Sequence, residues 1–255
     1  MTATTNSPIA PRAVLPRVTA IVALDVGSSE SALGIVSAIG DLCRFYKVGA
    51  ELFAAAGPSV VRSLGDLQCD VFLDLKVHDI PNTTRGACQG ASRLGARIVT
   101  VHASGGREMM EAAVEGADQG SRMRDHKHEC EVFAVTVLTS MDADRLGEAW
   151  GRPIVGVQEE VLRLADLARR AGVPGVVCGG AEAEAVRAEF GNTLKILVPG
   201  VRLAGSAADD QVRVVTPAAA KAAGATYVIV GRTVTGAPVV RDAMRRVLAE
   251  LIEPH

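Results

Sequence analysis

Apolar, β-branched runs recur along the whole chain, spaced so that a helix fits between one and the next. They cover Val18–Asp25, Cys43–Val48, Cys69–Leu75, Arg97–His102, Glu131–Leu138, Val173–Cys178, Leu194–Pro199 and Thr226–Val230, eight in all. Each is nearly continuous in apolar content, the pattern of a strand buried on both faces. Between them the apolar positions take a helical period over Ala32–Ile39, Thr84–Leu94, Met109–Ala117, Gln158–Ala171, Ala181–Phe190, Pro217–Ala223 and Pro238–Leu251. Thr216-Pro217 reads as an N-cap followed by Pro at the first helical position, where its missing N–H leaves no bond unmade. Gly172, Gly191 and Gly224 stand where helices should stop.

This alternation predicts an α/β fold, a (β/α)8 TIM barrel with a closed parallel eight-stranded sheet, spanning residues 18–255 as one domain. A doubly wound sheet is the alternative, but no G-x-G-x-x-G follows the first strand. Residues 1–17 are rich in Thr, Ser, Pro and Ala, lack a signal peptide's apolar stretch, and read as a loose leader. The longest connection, Thr139–Gly172, is polar over Asp142–Gly156. Beyond one helix it is expected to carry a loop over the barrel mouth.

Composition narrows the partners. A chain of 255 residues that is 48% hydrophobic can fill a large core, and no apolar run reaches membrane-spanning length. A net charge of −2 with 3% aromatic residues argues against a nucleic-acid surface, which needs a basic stripe or stacking rings. Any anionic ligand must therefore be held by a few local cations and backbone amides. Five cysteines, at 43, 69, 88, 130 and 178, form no C-x-x-C pair, which fits a reducing cytoplasm.

In such barrels the chemistry sits at the C-terminal ends of the strands. Those ends, in order, offer Asp25, Lys47, Asp74 with Lys76, His102, Thr139, Cys178, Arg202, and Gly231 with Arg232. The third is the most unusual, an apolar run that closes on Asp74-Leu-Lys76 with Asp79 just beyond, before Pro81. Residues i and i+2 of a strand share a face, so Asp74 and Lys76 project side by side. With Lys47 they suggest an alternating row, Lys47–Asp74–Lys76–Asp79. Two unit charges ~4 Å apart interact by about 4 kcal/mol at an effective dielectric near 20, so a ligand carboxylate pressed against one of these acids would be strongly disfavoured. Solvated, ion-paired strand ends are the plain alternative.

The seventh and eighth strands lead into Val198-Pro-Gly-Val-Arg202 and Val230-Gly-Arg232. Gly200 and Gly231 would let backbone N–H groups approach a phosphate, and Arg202 and Arg232 supply bidentate cations. Two tight turns with surface arginines would look the same. The run Asp125-His-Lys-His-Glu-Cys130 has a His126/His128/Cys130 spacing, but it precedes the fifth strand among many charges and reads as a solvated connector; no metal is assigned. His102 reads as a supporting group rather than a general base, and His78 as facing outward.

These residues resemble the orotidine 5′-phosphate decarboxylase family. Asp74-Leu-Lys-Val-His-Asp79 matches its D-x-K-x-x-D signature, followed by Ile80-Pro-Asn-Thr83. The likeness continues through Ala23-Leu-Asp25, Lys47-Val-Gly49, Val101-His-Ala-Ser-Gly-Gly106, Val135-Thr-Val-Leu-Thr-Ser140, Val198–Arg202, Asp210-Gln211 and Ile229-Val-Gly-Arg232. The resemblance implies that Asp25 and Lys47 hold the ribose hydroxyls, Asp74 lies beside the substrate carboxylate, and Lys76 is the proton donor. It places Asp79, Ile80 and Thr83 in the site of a neighbouring subunit, making a homodimer. Thr139 would lie near the pyrimidine; Arg202, Gly231 and Arg232 would bind phosphate; and Gln211 would reach phosphate and base from a closing loop.

The implied reaction converts orotidine 5′-phosphate to UMP and CO2 without metal or organic cofactor. Related D-x-K-x-x-D barrels that act on sugar phosphates resemble the chain too, but use Mg2+ and carry a glutamate where Lys47 stands. An aldolase- or epimerase-type barrel would need a Schiff-base lysine or a histidine ligand set that is not found. A phosphate-binding barrel without activity is the non-enzymatic alternative.

Overall fold

The computed structural model describes residues 18–123, 129–204 and 215–252. In chain order they form β1 (Thr19–Ala23), α1 (Ser29–Ile39), β2 (Phe45–Gly49), α2 (Ala50–Ala56), α3 (Ser59–Asp66), β3 (Asp70–Val77), α4 (Pro81–Leu94) and β4 (Ala96–His102). There follow α5 (Arg107–Arg122), β5 (Glu131–Val135), α6 (Ala143–Trp150), α7 (Val157–Arg170), β6 (Gly175–Val177), α8 (Gly180–Phe190) and β7 (Lys195–Val201). The chain closes with α9 (Pro217–Ala222), β8 (Tyr227–Val230), α10 (Arg232–Thr235) and α11 (Val240–Ile252). The strands make a closed barrel in sequence order, parallel at every pairing, with β8 against β1. All eight strands lie where the apolar runs predict them. Thr216 caps α9, accepting from the Ala219 N–H ahead of Pro217, as its sequence indicates.

Alternation sorts each strand's side chains between two cores. Val22 and Leu24, Val99 and Val101, and Val228 and Val230 face the helices, whereas Ile21, Phe45, Phe72, Ile98, Phe133, Leu197 and Tyr227 fill the barrel interior. The Tyr227 ring meets Phe45 and Phe133 edge-on, at centroid separations of 5.9 and 5.8 Å. Such contacts add about 0.5–1.5 kcal/mol each beyond the area they bury. This aromatic layer is a solid floor. Two residues further along each strand, the same inward face carries Lys47, Asp74 and Thr100 on β2–β4, but Val135, Val177, Pro199 and Ile229 on β5–β8. The i+2 rule thus turns one packed layer into a mouth with a charged wall and an apolar wall.

Two strands depart from regular pairing where they reach that mouth. Leu73 pairs with Val99 and Val77 with Val101, so β3 takes four steps where β4 takes two. Likewise β7 takes three steps from Val198 to Val201 while β8 takes two. Bulges of this kind re-aim side chains at barrel rims. Lys76 adopts a left-handed φ of 49° inside the first bulge, and Gly200 a φ of 71° inside the second.

On the outside, α4 and α5 are packed unusually close. A Cβ on Gly116 would fall 2.2 Å from the Arg85 carbonyl oxygen, so only glycine permits the approach. Ser92 and Ser121 share a hydrogen bond across the pair, and Arg85 binds Glu115 at 2.8 Å.

The sequence pattern gives no sign of α2 or α3, and the polar Asp142–Gly156 stretch, expected as loop, contains α6. That helix is capped by the Asp142 side chain, which accepts from the Arg145 N–H. It is pinned at its far end by Trp150, with the Arg152 and Arg163 guanidinium groups 5.3 and 5.7 Å from the ring centroid. Both arginines converge on Glu160, at 2.6 and 2.8 Å. Burial alone would raise the Glu160 pKa, but the hydrogen bonds and charges of Arg163 and Arg152 outweigh it and hold the carboxyl low. None of the helices among the described residues is long and apolar enough to cross a membrane.

Candidate active site

A cavity of about 540 Å³ opens at the C-terminal ends of the strands. Asp25, Lys47, Asp74 and Lys76 line one side; Thr139, Gly200, Arg202, Gly231 and Arg232 are also in its wall. Eight of the twelve residues to which the resemblance gives a role therefore meet in one place, with Gly200 beside them.

The charged wall is a continuous chain of contacts. Asp25 Oδ1 lies 2.7 Å from Lys47 Nζ, which lies 3.7 Å from Asp74 Oδ2, and that same oxygen lies 2.7 Å from Lys76 Nζ. Lys47 and Asp74 are each only 8% exposed, so their charges are intelligible only with the partners this chain of contacts supplies. The Lys76 side chain is 40% exposed and reaches into the cavity, leaving its ammonium available to a ligand. Asp74 divides its two oxygens: Oδ2 faces both lysines, while Oδ1 accepts a hydrogen bond from the Thr100 hydroxyl at 2.8 Å.

Across the mouth, β7 and β8 stand on the other side of the ring from β3. The Leu203 N–H donates to the Thr233 hydroxyl at 3.3 Å, tying the turn after β7 to the short helix after Gly231. Arg202 and Arg232 are thereby brought to one end of the cavity, beside the open backbone of Gly200 and Gly231. Two guanidinium groups and close backbone N–H groups suit a dianionic phosphate.

The row expected as Lys47–Asp74–Lys76–Asp79 stops at Lys76 within one chain. Asp79 instead accepts from the Ile80 N–H at 2.7 Å. The physical reason is the bulge, after which the chain turns outward into α4. Asp79, Ile80 and Thr83 are all exposed, Ile80 by 67%, on a surface next to the mouth. Gln211, Asp210, His126 and His128 lie outside the described residues.

Several residues that line or support the site carry no signal in the sequence. Thr100 reads as an ordinary β-branched strand residue, and nothing in the sequence marks Glu51 or Thr233; only the fold brings them to the cavity or to its supports. His102 and His78 stack loosely, with ring centroids 5.4 Å apart, behind Lys76. Burial, then the neighbouring His78 and Lys76 charges, hold the His102 pKa down, with Asp74 opposing them. Away from the mouth, burial pushes the Cys43 thiol up to about 11 and Cys88 up to about 12, so both remain protonated core residues.

Residues 19–247 match the profile described as the orotidine 5′-phosphate decarboxylase / HUMPS family. The chain belongs to that family. Among its relatives, the orotidine 5′-phosphate decarboxylase of Heliobacterium modesticaldum is 45% identical over 233 residues, covering 91% of this chain and 95% of the other. That of Anaeromyxobacter sp. strain K is 47% identical over 232 residues, covering 90% and 96%. The crystal structure of orotidine 5′-phosphate decarboxylase from Lactobacillus acidophilus superposes with a TM-score of 0.82 at 34% identity, covering 92% of this chain and all of that one. Family membership turns the D-x-K-x-x-D array from a local pattern into the expected centre of the site.

Proposed function

We infer that this protein is a carboxy-lyase, an orotidine 5′-phosphate decarboxylase that releases CO2 from its substrate to give UMP. The observation that carries the reading is the Asp25–Lys47–Asp74–Lys76 contact chain, set across the mouth from Arg202 and Arg232. With the phosphate held by the arginines and Gly231, the ribose hydroxyls meet Asp25 and Lys47, and the pyrimidine lies between Thr139 and the apolar wall. C6 of the base then faces Asp74 and Lys76, and Gln211 is assigned as a further ligand of phosphate and base.

The C6–carboxylate bond breaks, its electron pair stays on C6, and CO2 departs. Lys76 Nζ–H gives its proton to C6, and the lysine is reprotonated from solvent. The ammonium beside the developing carbanion supplies the electrostatic stabilisation, fixed in place before the reaction by Asp74. Asp74 next to the substrate carboxylate disfavours the ground state in which both are charged. Asp79, Ile80 and Thr83 complete the site of a second copy of the chain, in a homodimer.

No metal is required by this scheme, and the position of Lys47 argues against one. Its ammonium occupies the space between Asp25 and Asp74 where a divalent cation would have to bind. The test is the loss of orotidine 5′-phosphate absorbance with purified protein in excess EDTA. Rapid conversion to UMP is expected. No conversion, together with Mg2+-dependent turnover of a sugar phosphate, would overturn the reading in favour of the metal-dependent branch.

A further inference from the structure

Lys76 holds a backbone conformation that L-residues seldom adopt, with φ at 49°, and it does so inside a bulge with two surplus residues. Such a conformation persists only where its surroundings over-determine it. The nearest constraint comes from β4. The Thr100 hydroxyl accepts a hydrogen bond from the Lys76 backbone N–H at 3.0 Å and donates its own proton to Asp74 Oδ1 at 2.8 Å. Thr100 is fully buried and lies on the inward face of β4, two residues beyond Ile98 of the barrel floor. One hydroxyl therefore uses one donor and one acceptor on two different residues of the charged wall.

We propose that Thr100 is a positioning residue for the decarboxylation, an inference that rests on the function assigned above. It touches neither substrate nor reacting atoms. By occupying Oδ1 it fixes the rotation of the Asp74 carboxylate so that Oδ2 faces Lys76 and Lys47. By accepting the Lys76 N–H it holds the left-handed turn that throws the lysine side chain back toward Asp74. Without it the carboxylate is free to rotate, and the bulge can relax toward ordinary strand geometry, which would carry the ammonium away from C6. The distant phosphate and ribose contacts are untouched.

The test compares Thr100→Val, which keeps the shape and loses the hydroxyl, with Thr100→Ser, which keeps the hydroxyl, and Thr100→Ala as a less crowded alternative should the valine variant fold poorly. Expected is a kcat lowered about tenfold to a hundredfold in the valine and alanine variants, as for lost hydrogen bonds to charged groups, with KM within about threefold of wild type. Serine should restore kcat to within about threefold. Wild-type kcat in the valine or alanine variant would overturn the proposal, as would an equal loss in the serine variant. The crystal structure of Thr100→Val gives an answer that needs no activity: Lys76 should leave its left-handed φ, or its contact with Asp74 should open. Both features retained would refute the role of Thr100 even if the wild-type protein did not decarboxylate the substrate, an outcome that would sink the assigned function by itself.

Discussion

Of the two ion-paired ammonium groups of the charged wall, Lys76 is the more open to the cavity, its side chain 40% exposed against 11% for Lys47, so the chemistry should fail with it selectively. Lys76→Ala is expected to lower kcat by at least about a hundredfold, the range for a lost general acid, while UMP still binds through the phosphate and ribose contacts; calorimetry with UMP and the absorbance assay check the two halves. Residual turnover within about tenfold of wild type would refute its assignment as proton donor. His102 allows a different test. Its folded pKa lies below the ordinary imidazole range, so as pH falls the unfolded chain takes up a proton before the folded one does. Stability is therefore fully present above that range, is lost as pH falls through it, and changes no further on this account below the folded value. Thermal unfolding between about pH 7.5 and 5.5 should show a smaller fall in Tm for His102→Gln than for wild type. At this scale the sequence was readable wherever a charge ended an apolar run, as at Lys47, Asp74 and Lys76. It was silent on Thr100 and on the left-handed backbone at Lys76. A threonine in a strand looks like any other β-branched residue, and a bulge is a relation between two strands that neither strand records alone.

Helix α4 begins two residues after Asp79, whose carbonyl accepts from the Thr84 hydroxyl of its first turn, and its distance from α5 is set by Gly116. Gly116→Ala would press a methyl group into the Arg85 carbonyl and force the helices apart, costing about 1–3 kcal/mol as overpacking does. A lower Tm is expected, together with a loss of activity larger than the fraction unfolded explains, because Asp79 and Thr83 move with α4. Unchanged Tm would mean that the pair adjusts without strain. The strands were legible because burial on both faces leaves an apolar run with nothing else to signify. The helices α2, α3 and α6 were not, for a physical reason. They are seven or eight residues long, too short for an apolar stripe to repeat, and α6, which buries Leu146, is held besides by the Asp142 cap and the Trp150–Arg152–Arg163–Glu160 cluster.

Across the whole molecule, Arg202 and Arg232, proposed to bind phosphate, and Lys76, the proposed proton donor, sit at opposite sides of one mouth, so on this reading binding at one must be transmitted to the other. Arg232→Ala is expected to raise KM and also lower kcat, because phosphate binding energy is used to orient the reacting centre; a change confined to KM would remove that coupling. The second copy of the chain makes the strongest demand. If Asp79 serves the neighbouring site, the exposed Asp79–Ile80–Thr83 surface is covered in the assembly, and each site draws Lys76 from one chain and Asp79 from the other. Lys76→Ala and Asp79→Ala dimers should then both be nearly inactive. Dissociated and reassociated together, about half the dimers become hybrids, each with one site that holds both wild-type residues, so about one quarter of wild-type turnover should return. Mass spectrometry of the mixture would establish that exchange took place. Hybrids formed without recovered turnover would mean that Asp79 acts within its own chain, and the bulge that turns it outward from Lys76 would then have to open during the reaction.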